Sequence, residues 1–241
     1  MSHGRSGVPP RDIPVPPAVA TVARRHHADR IEPLWRNELG GVTFRAGTVV
    51  VKWQGLDVPL DLAEEASRLR WAHRWTPVPR VLEEGVDRDG RWLVTEAMPG
   101  ENAVADRWRA EPARAVHALG EGLRALHDSL PVEVCPFTWH AEDRVAAKGF
   151  PDPPPPVDRL VVCHGDACAP NTLIDDEGRW SAHVDLGNLG VADRWADIAV
   201  AALSTTWNYG ADWTDALLAA YGVERNDERL DYYRRLWDFE S

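Results

Sequence analysis

Residues 161–203 read VVCHGDACAPNTLIDDEGRWSAHVDLGNLGVADRWADIAVAAL. The apolar run Leu160 to Cys163 reads as a strand that delivers the triplet His164-Gly165-Asp166 into a loop. Asn171 follows five residues after Asp166, and the pair Asp185-x-Gly187 begins 19 residues after it. Phosphoryl transfer asks little covalent work of a protein: it needs an aligned nucleophile, held phosphates and neutralised charge. Asp166 is placed to accept a hydrogen bond from a hydroxyl and orient it for in-line attack. Asn171 and Asp185 offer hard oxygen ligands from opposite sides of a predicted hairpin, the usual way Mg²⁺ is held beside nucleotide phosphates and water.

A phosphate-binding cation is needed as well, and the upstream sequence offers Lys52. The stretch LWRNELGGVTFRAGTVVVKWQ (34–54) reads as a hairpin, with Val42, Phe44 and Val49 to Val51 as strand formers about the turn at Arg45 to Gly47. Lys52 ends its second strand. The following PLDLAEEASRLRWAH (59–73) spaces Leu62, Ala66, Leu69 and Ala72 for a helix behind a candidate Asp61 N-cap. Glu64 and Glu65 sit roughly 100° apart on that helix, so one alone can face the strand. Glu65 flanks the apolar face and is the expected ion-pair partner of Lys52.

A strand near Arg80 to Leu82, the turn DRDG (87–90) and the strand RWLVTEAM (91–98) complete a sheet-rich unit, and Pro99-Gly100 marks its end. Beyond it, Val116, Leu119, Leu123, Leu126 and Leu130 line one face of a helix over 111–130. FPDPPPPVD (150–158) reads as a stiff polyproline connector into the strand before His164. Two short strands, NTLID and RWSAHVDL, and helices over 194–206, 211–221 and 227–239 follow. The predicted fold is α+β with two lobes: residues 1–17 lacking order, a nucleotide-binding N-lobe over 18–98, and a helical catalytic and substrate-binding C-lobe over 99–241.

The formal net charge of -11 is unevenly spread. Of 27 basic and 38 acidic residues, 14 and 13 lie in residues 1–100, leaving 13 and 25 beyond. An acidic second lobe disfavours nucleic acid, which is held through Lys and Arg, and steers cationic partners inward. Three cysteines, Cys135, Cys163 and Cys168, fit neither a disulfide framework nor a zinc spacing. No apolar run approaches the roughly 20 residues that cross a bilayer, so a cytoplasmic protein without membrane association is expected.

The ordered set Lys52, Glu65, Asp166, Asn171 and Asp185 resembles the aminoglycoside phosphotransferases, which share the protein-kinase fold, and the neomycin/kanamycin 3′-phosphotransferase group in particular. HGDACAPN and VDLGNLGVADRWADIAVA carry the densest part of the resemblance, and CPF (135–137) and YYRRLWDF (232–239) echo it. The resemblance implies Asp166 as catalytic base, Asn171 and Asp185 as Mg²⁺ ligands, Lys52 on the nucleotide phosphates and Glu65 supporting it. It also implies a phosphate loop at Gly40 and Gly41, adenine contacts from Thr95 to Ala97, and Asp197 bracing the catalytic loop. His164 is expected to shape that loop by hydrogen bonding. The implied cofactors are ATP, with GTP as the alternative, and Mg²⁺; the implied partner is a small cationic substrate, and monomer or dimer is left open.

Departures from the group cluster on the substrate side. Val50 stands where an aromatic residue often stacks on adenine. Only 26 residues separate Phe137 from His164, so the segment that supplies acidic contacts in the group is shortened. Glu142, Asp143 and Asp152 are candidate substitutes, with Asp238 near the C-terminus. Asn188 replaces an Arg, and Leu203-Ser204 replaces an Arg-Asp pair. The expected reaction is ATP-dependent phosphorylation of an aminoglycoside hydroxyl, the 3′-hydroxyl first, giving resistance. Two alternatives are a kinase of the same fold for another cationic hydroxyl compound or aminosugar, and a non-catalytic nucleotide-binding protein.

Overall fold

Val49 and Val51 are buried while Val50 and Lys52 are partly exposed, the alternation of a strand whose two faces meet different surroundings. The computed structural model describes residues 7–58, 61–139, 150 and 152–240. Its chain divides into two compact units, Met1–His73 with Pro79–Met98, and Arg74–Val78 with Pro99–Ser241. The division at Met98 and Pro99 falls beside the predicted boundary. The short segment Arg74–Val78 goes with the second unit, where the Pro77 carbonyl accepts from the His183 N–H at 3.1 Å.

The first unit is a five-stranded antiparallel sheet flanked by two helices. In chain order its elements are α1 (Pro17–Arg25), β1 (Ile31–Arg36), β2 (Val42–Ala46), β3 (Val49–Gln54), α2 (Leu62–Ala72), β4 (Val81–Val86) and β5 (Arg91–Glu96). The strands lie in the order β1-β2-β3-β5-β4. Val19, Val22 and Ala23 of α1 join Val42, Phe44, Ala46, Val49, Val51 and Val94 in one buried cluster, which fills one face of the sheet. Fully burying side chains of this kind stabilises by roughly 1.5–3 kcal/mol each. Residues 1–6 lie outside the described residues. The expectation that residues 1–17 lack order does not extend to Gly7, which pairs with Arg36, or to Ile13, which packs on the cluster.

The second unit comprises β6 (Glu101–Asn102), α3 (Asp106–Ala110), α4 (Pro112–Ser129), β7 (Leu160–Cys163), β8 (Thr172–Ile174), β9 (Trp180–His183) and β10 (Gly190–Asp193). It ends in three helices: α5 (Trp195–Tyr209), α6 (Thr214–Tyr221) and α7 (Asp227–Glu240). β10, which the sequence reading did not single out, pairs with β7 from Gly190 opposite Cys163 to Asp193 opposite Leu160. α4 and α6 pack closely because Gly120 has no side chain. A Cβ there would sit 2.6 Å from the Ala220 Cβ and 2.8 Å from the Leu217 carbonyl.

The polyproline connector is pinned where it enters β7. Asp158 accepts from Arg194 at 2.7 Å and from the Trp195 indole at 2.8 Å, and its N–H donates to Asp193 at 2.8 Å. At its other end Phe150 packs edge-on against Tyr232 and Phe239 of α7. Among the described residues no helix is long and apolar enough to cross a membrane.

Candidate active site

In the first unit Lys52 lies on the sheet face opposite the α1 cluster, and α2 approaches that face. Asp61 caps α2 by accepting from the Ala63 N–H at 2.9 Å, which fixes where the helix begins and hence which glutamate turns inward. Glu65 is buried and its Oε1 lies 2.6 Å from Lys52 Nζ. Glu64 is turned to solvent and pairs instead with Arg68 one helical turn on, at 2.9 Å. The choice between the two glutamates thus follows the helical angle.

Val50, two residues before Lys52, shares its face and lies opposite Thr95, which is buried. Ala97 donates its N–H to the Thr48 carbonyl at 2.9 Å, so a base edge bound here competes with that bond or meets carbonyls. Gly40 and Gly41 sit in the β1–β2 turn, which the Asn37 side chain closes by accepting from the Gly41 N–H at 2.8 Å. The turn is therefore shaped by its own hydrogen bonds.

In the second unit β7 ends at Cys163 and the backbone turns sharply. Gly165 has φ +80°, and a Cβ there would lie 2.1 Å from the Asn188 carbonyl oxygen, so a glycine is required between His164 and Asp166. Asp197, in the first turn of α5, is buried and receives this turn. Its Oδ2 accepts from the His164 N–H at 2.6 Å and its Oδ1 from the Gly165 N–H at 2.9 Å. The His164 ring donates through Nε2 to the Val184 carbonyl at 2.9 Å, leaving Nδ1 to accept from the Asp166 N–H at 3.3 Å. His164 shapes the loop by these bonds.

Asp166 follows on a fixed backbone. Asn171 donates through Nδ2 to the Asp166 carbonyl at 2.9 Å and to its Oδ2 at 3.0 Å. Oδ1 is sheltered from solvent and has no hydrogen-bond partner among the described residues. Burial, together with the nearby Asp185 carboxylate, pushes the Asp166 pKa up from its ordinary value, as suits a group that accepts a proton. Asp185 adopts φ 63°, a left-handed conformation uncommon for a residue with a side chain and frequent where function fixes the backbone.

This donor set fits a divalent cation. Asn171 is tied to Asp166 through its amide nitrogen, so its amide oxygen is the atom with which it can ligate a cation. Burial and the neighbouring Asp185 carboxylate make ionisation of Asp166 costly, and a bound cation would relieve that cost. The groups are carboxylate and amide oxygens, with no soft ligand among them, as Mg²⁺ prefers.

The predicted substrate residues are scattered. Asn188 is exposed and its backbone abuts Gly165, in the loop that carries Asp166. Asp238 is exposed on α7. Glu142 and Asp143 lie outside the described residues. Asp152 forms an ion pair with Arg235, so its charge is already met. Ser204 turns inward, accepting from the Ala169 N–H at 2.9 Å.

Sequence reasoning missed His127 and Tyr221. His127 is buried on α4; its Nε2 lies 3.0 Å from Asp197 Oδ2 and its Nδ1 lies 2.8 Å from the Tyr221 hydroxyl. A signal was present, since His127 directly follows Leu126 on the apolar face of its helix, and a buried polar side chain demands partners.

The chain matches the phosphotransferase enzyme family over residues 41–150 and 141–233. It is 40% identical over 216 residues to an aminoglycoside 3′-phosphotransferase of Streptomyces fradiae, covering 74% of this chain and 80% of that one. It is 35% identical over 242 aligned positions to a streptomycin 3″-kinase of Streptomyces griseus, covering 83% and 88%. A solved structure of aminoglycoside phosphotransferase APH(3″)-Id from Streptomyces rimosus, in complex with ADP and streptomycin, superposes with a TM-score of 0.69 at 27% identity. That superposition covers 93% of this chain and 98% of the other.

Proposed function

This chain belongs to the phosphotransferase enzyme family and has its two-lobed kinase-like fold, and from that premise we propose that it phosphorylates an aminoglycoside on its 3′-hydroxyl, using ATP and Mg²⁺. The observation that carries the reading is Asp166: one carboxylate oxygen tied by Asn171, the other sheltered and unpartnered, on a loop bound to Asp197. Aminoglycoside phosphorylation conferring resistance is the activity this reading assigns.

Under it, the acceptor hydroxyl hydrogen-bonds to Asp166 and attacks the γ-phosphorus in line; the new oxygen–phosphorus bond forms as the bond to ADP breaks, and the hydroxyl proton passes to Asp166. Lys52, held extended by Glu65, contacts the nucleotide phosphates. Asn171 and Asp185 would hold Mg²⁺, which when bound neutralises charge on the β- and γ-phosphates. Val50 and Thr95 offer an apolar surface for the base, which favours neither adenine nor guanine by stacking. The acidic second unit attracts a polyamine sugar.

A second acceptor is supported by a specific observation: the streptomycin 3″-kinase shares a larger part of both chains than the 3′-phosphotransferase does. Incubating the protein with Mg-ATP or Mg-GTP and with neomycin, kanamycin or streptomycin, then locating the phosphate by NMR, decides the nucleotide, the acceptor and the position. Phosphate on a 3′-hydroxyl supports the first reading, and phosphate on streptomycin alone the second. Transfer to none of them, with nucleotide bound, overturns both and favours another cationic hydroxyl compound.

A further inference from the structure

Asp197 fixes the catalytic loop only while its carboxylate is charged and oriented, and it is buried in the second unit. Burial works to raise its pKa, yet the hydrogen bond from His127, with the other donors around it, holds the pKa below its ordinary value. An ionised carboxylate only accepts, so His127 Nε2, at 3.0 Å from Oδ2, must carry a proton. The question becomes what reserves that nitrogen for donation, since the imidazole ring has two nitrogens able to carry a proton.

The answer lies on a different helix. The Tyr221 hydroxyl, at the end of α6, lies 2.8 Å from His127 Nδ1, and the two rings meet edge-on with centroids 5.6 Å apart. Burial pushes the Tyr221 pKa up to about 12, so the phenol keeps its proton and can donate it. Arg124, one turn before His127 on α4, bonds the Tyr221 carbonyl at 3.4 Å and faces its ring at 5.8 Å, which holds the tyrosine in place. Gly120 completes the seating, because a Cβ there would lie 2.9 Å from the Tyr221 nitrogen.

We propose that Tyr221 is a positioning residue for phosphoryl transfer: its hydroxyl donates to His127 Nδ1, selects the Nε2-protonated tautomer, and thereby aims a donor at the Asp197 carboxylate that holds His164 and Gly165 beside Asp166. The relay runs Tyr221 to His127 to Asp197 to the catalytic loop, and no member except the loop itself reaches substrate. The activity arm rests on the phosphotransferase reading above; the tautomer does not.

The test begins with the unaltered protein. Histidine is labelled with ¹⁵N, and two-bond nitrogen–proton correlation spectra assign the His127 tautomer, using His127→Gln to identify its signals among the nine histidines. The Nε2-protonated form is expected, and an Nδ1-protonated His127 overturns the proposal whether or not any aminoglycoside is phosphorylated. Tyr221→Phe, which removes the hydroxyl alone, is expected to change the His127 nitrogen shifts. It should lower kcat roughly 5- to 10-fold with KM for ATP within about twofold, the scale of one neutral hydrogen bond. A loss of kcat without change at His127, or unchanged kcat, overturns it. Should Tyr221→Phe fail to fold, His127→Gln and His127→Ala substitute: the glutamine amide can still donate to Asp197, so greater activity for glutamine supports the relay and equal loss overturns it.

Discussion

Lys52 Nζ stands 2.6 Å from Glu65 Oε1, with the glutamate buried and the lysine partly exposed. Removing the carboxylate takes away the anion that orients Nζ, so on the proposed reading the nucleotide phosphates must do more to order the lysine on binding. Glu65→Ala is expected to lower kcat/KM for nucleotide roughly 10- to 100-fold, whereas Glu64→Ala, which breaks a solvent-exposed pair, changes it less than about twofold. Steady-state kinetics of the two variants side by side check this. Equal effects would sink the assignment.

On the proposed reading, Asp166→Asn removes the acceptor of the hydroxyl proton while keeping shape. It should lower kcat by roughly 10²- to 10⁴-fold without weakening nucleotide binding measured by calorimetry. The same variant should stabilise the nucleotide-free protein. Because the folded pKa of Asp166 lies above its unfolded value near 3.9, ionisation above that pH favours the unfolded chain. The melting temperature of Asp166→Asn is therefore expected to exceed that of the unaltered protein at pH 7, and the gap to close as pH falls below about 4. A lower melting temperature at pH 7 contradicts the argument.

His183 supplies a second pH dependence of opposite sign. Burial holds its pKa well below the ordinary value near 6.5, with its ring packed between His164 and Trp180. A group with a depressed folded pKa contributes stability that is present above the unfolded pKa and lost as pH falls toward the folded one. Melting temperature should decline as the solution is acidified below about pH 6.5. His183→Phe, which keeps the ring contacts, should flatten that decline below about pH 6.5; an unchanged slope would show that other groups cause it.

Gly120 is the closest point between α4 and α6. A methyl group there meets the Leu217 carbonyl at 2.8 Å and the Tyr221 nitrogen at 2.9 Å, so one helix must shift. Gly120→Ala is expected to cost about 1–3 kcal/mol in urea unfolding, despite the higher helix propensity of alanine. A stabilised variant would mean that the two helices separate freely.

Much of the chemistry was legible before any coordinates. Type and spacing single out Asp166, Asn171 and Asp185, and the structure does bring the three together, with Asn171 bonded to Asp166 and the Asp185 carboxylate close by. Glu65 followed from the helical angle and the apolar face of α2. The relay through His127 was not legible, since its partners lie 70 and 94 residues away and nothing local says which buried group a histidine will meet. Asp152 read as a free acid, but Arg235, 83 residues on, takes its charge. β10 was missed for a similar reason: Gly190 to Asp193 is short, and becomes a strand by pairing with β7.

By itself the sequence determined the type of chemistry and the order of its parts, because residue types, helical periodicity and strand alternation act over a few neighbours and can be read along the chain. The tertiary structure alone decided which charges are spent on one another and which face a ligand. That choice is made by burial, where desolvation forces Asp197 to gather donors from His127, His164 and Gly165, and leaves one oxygen of Asp166 without a partner.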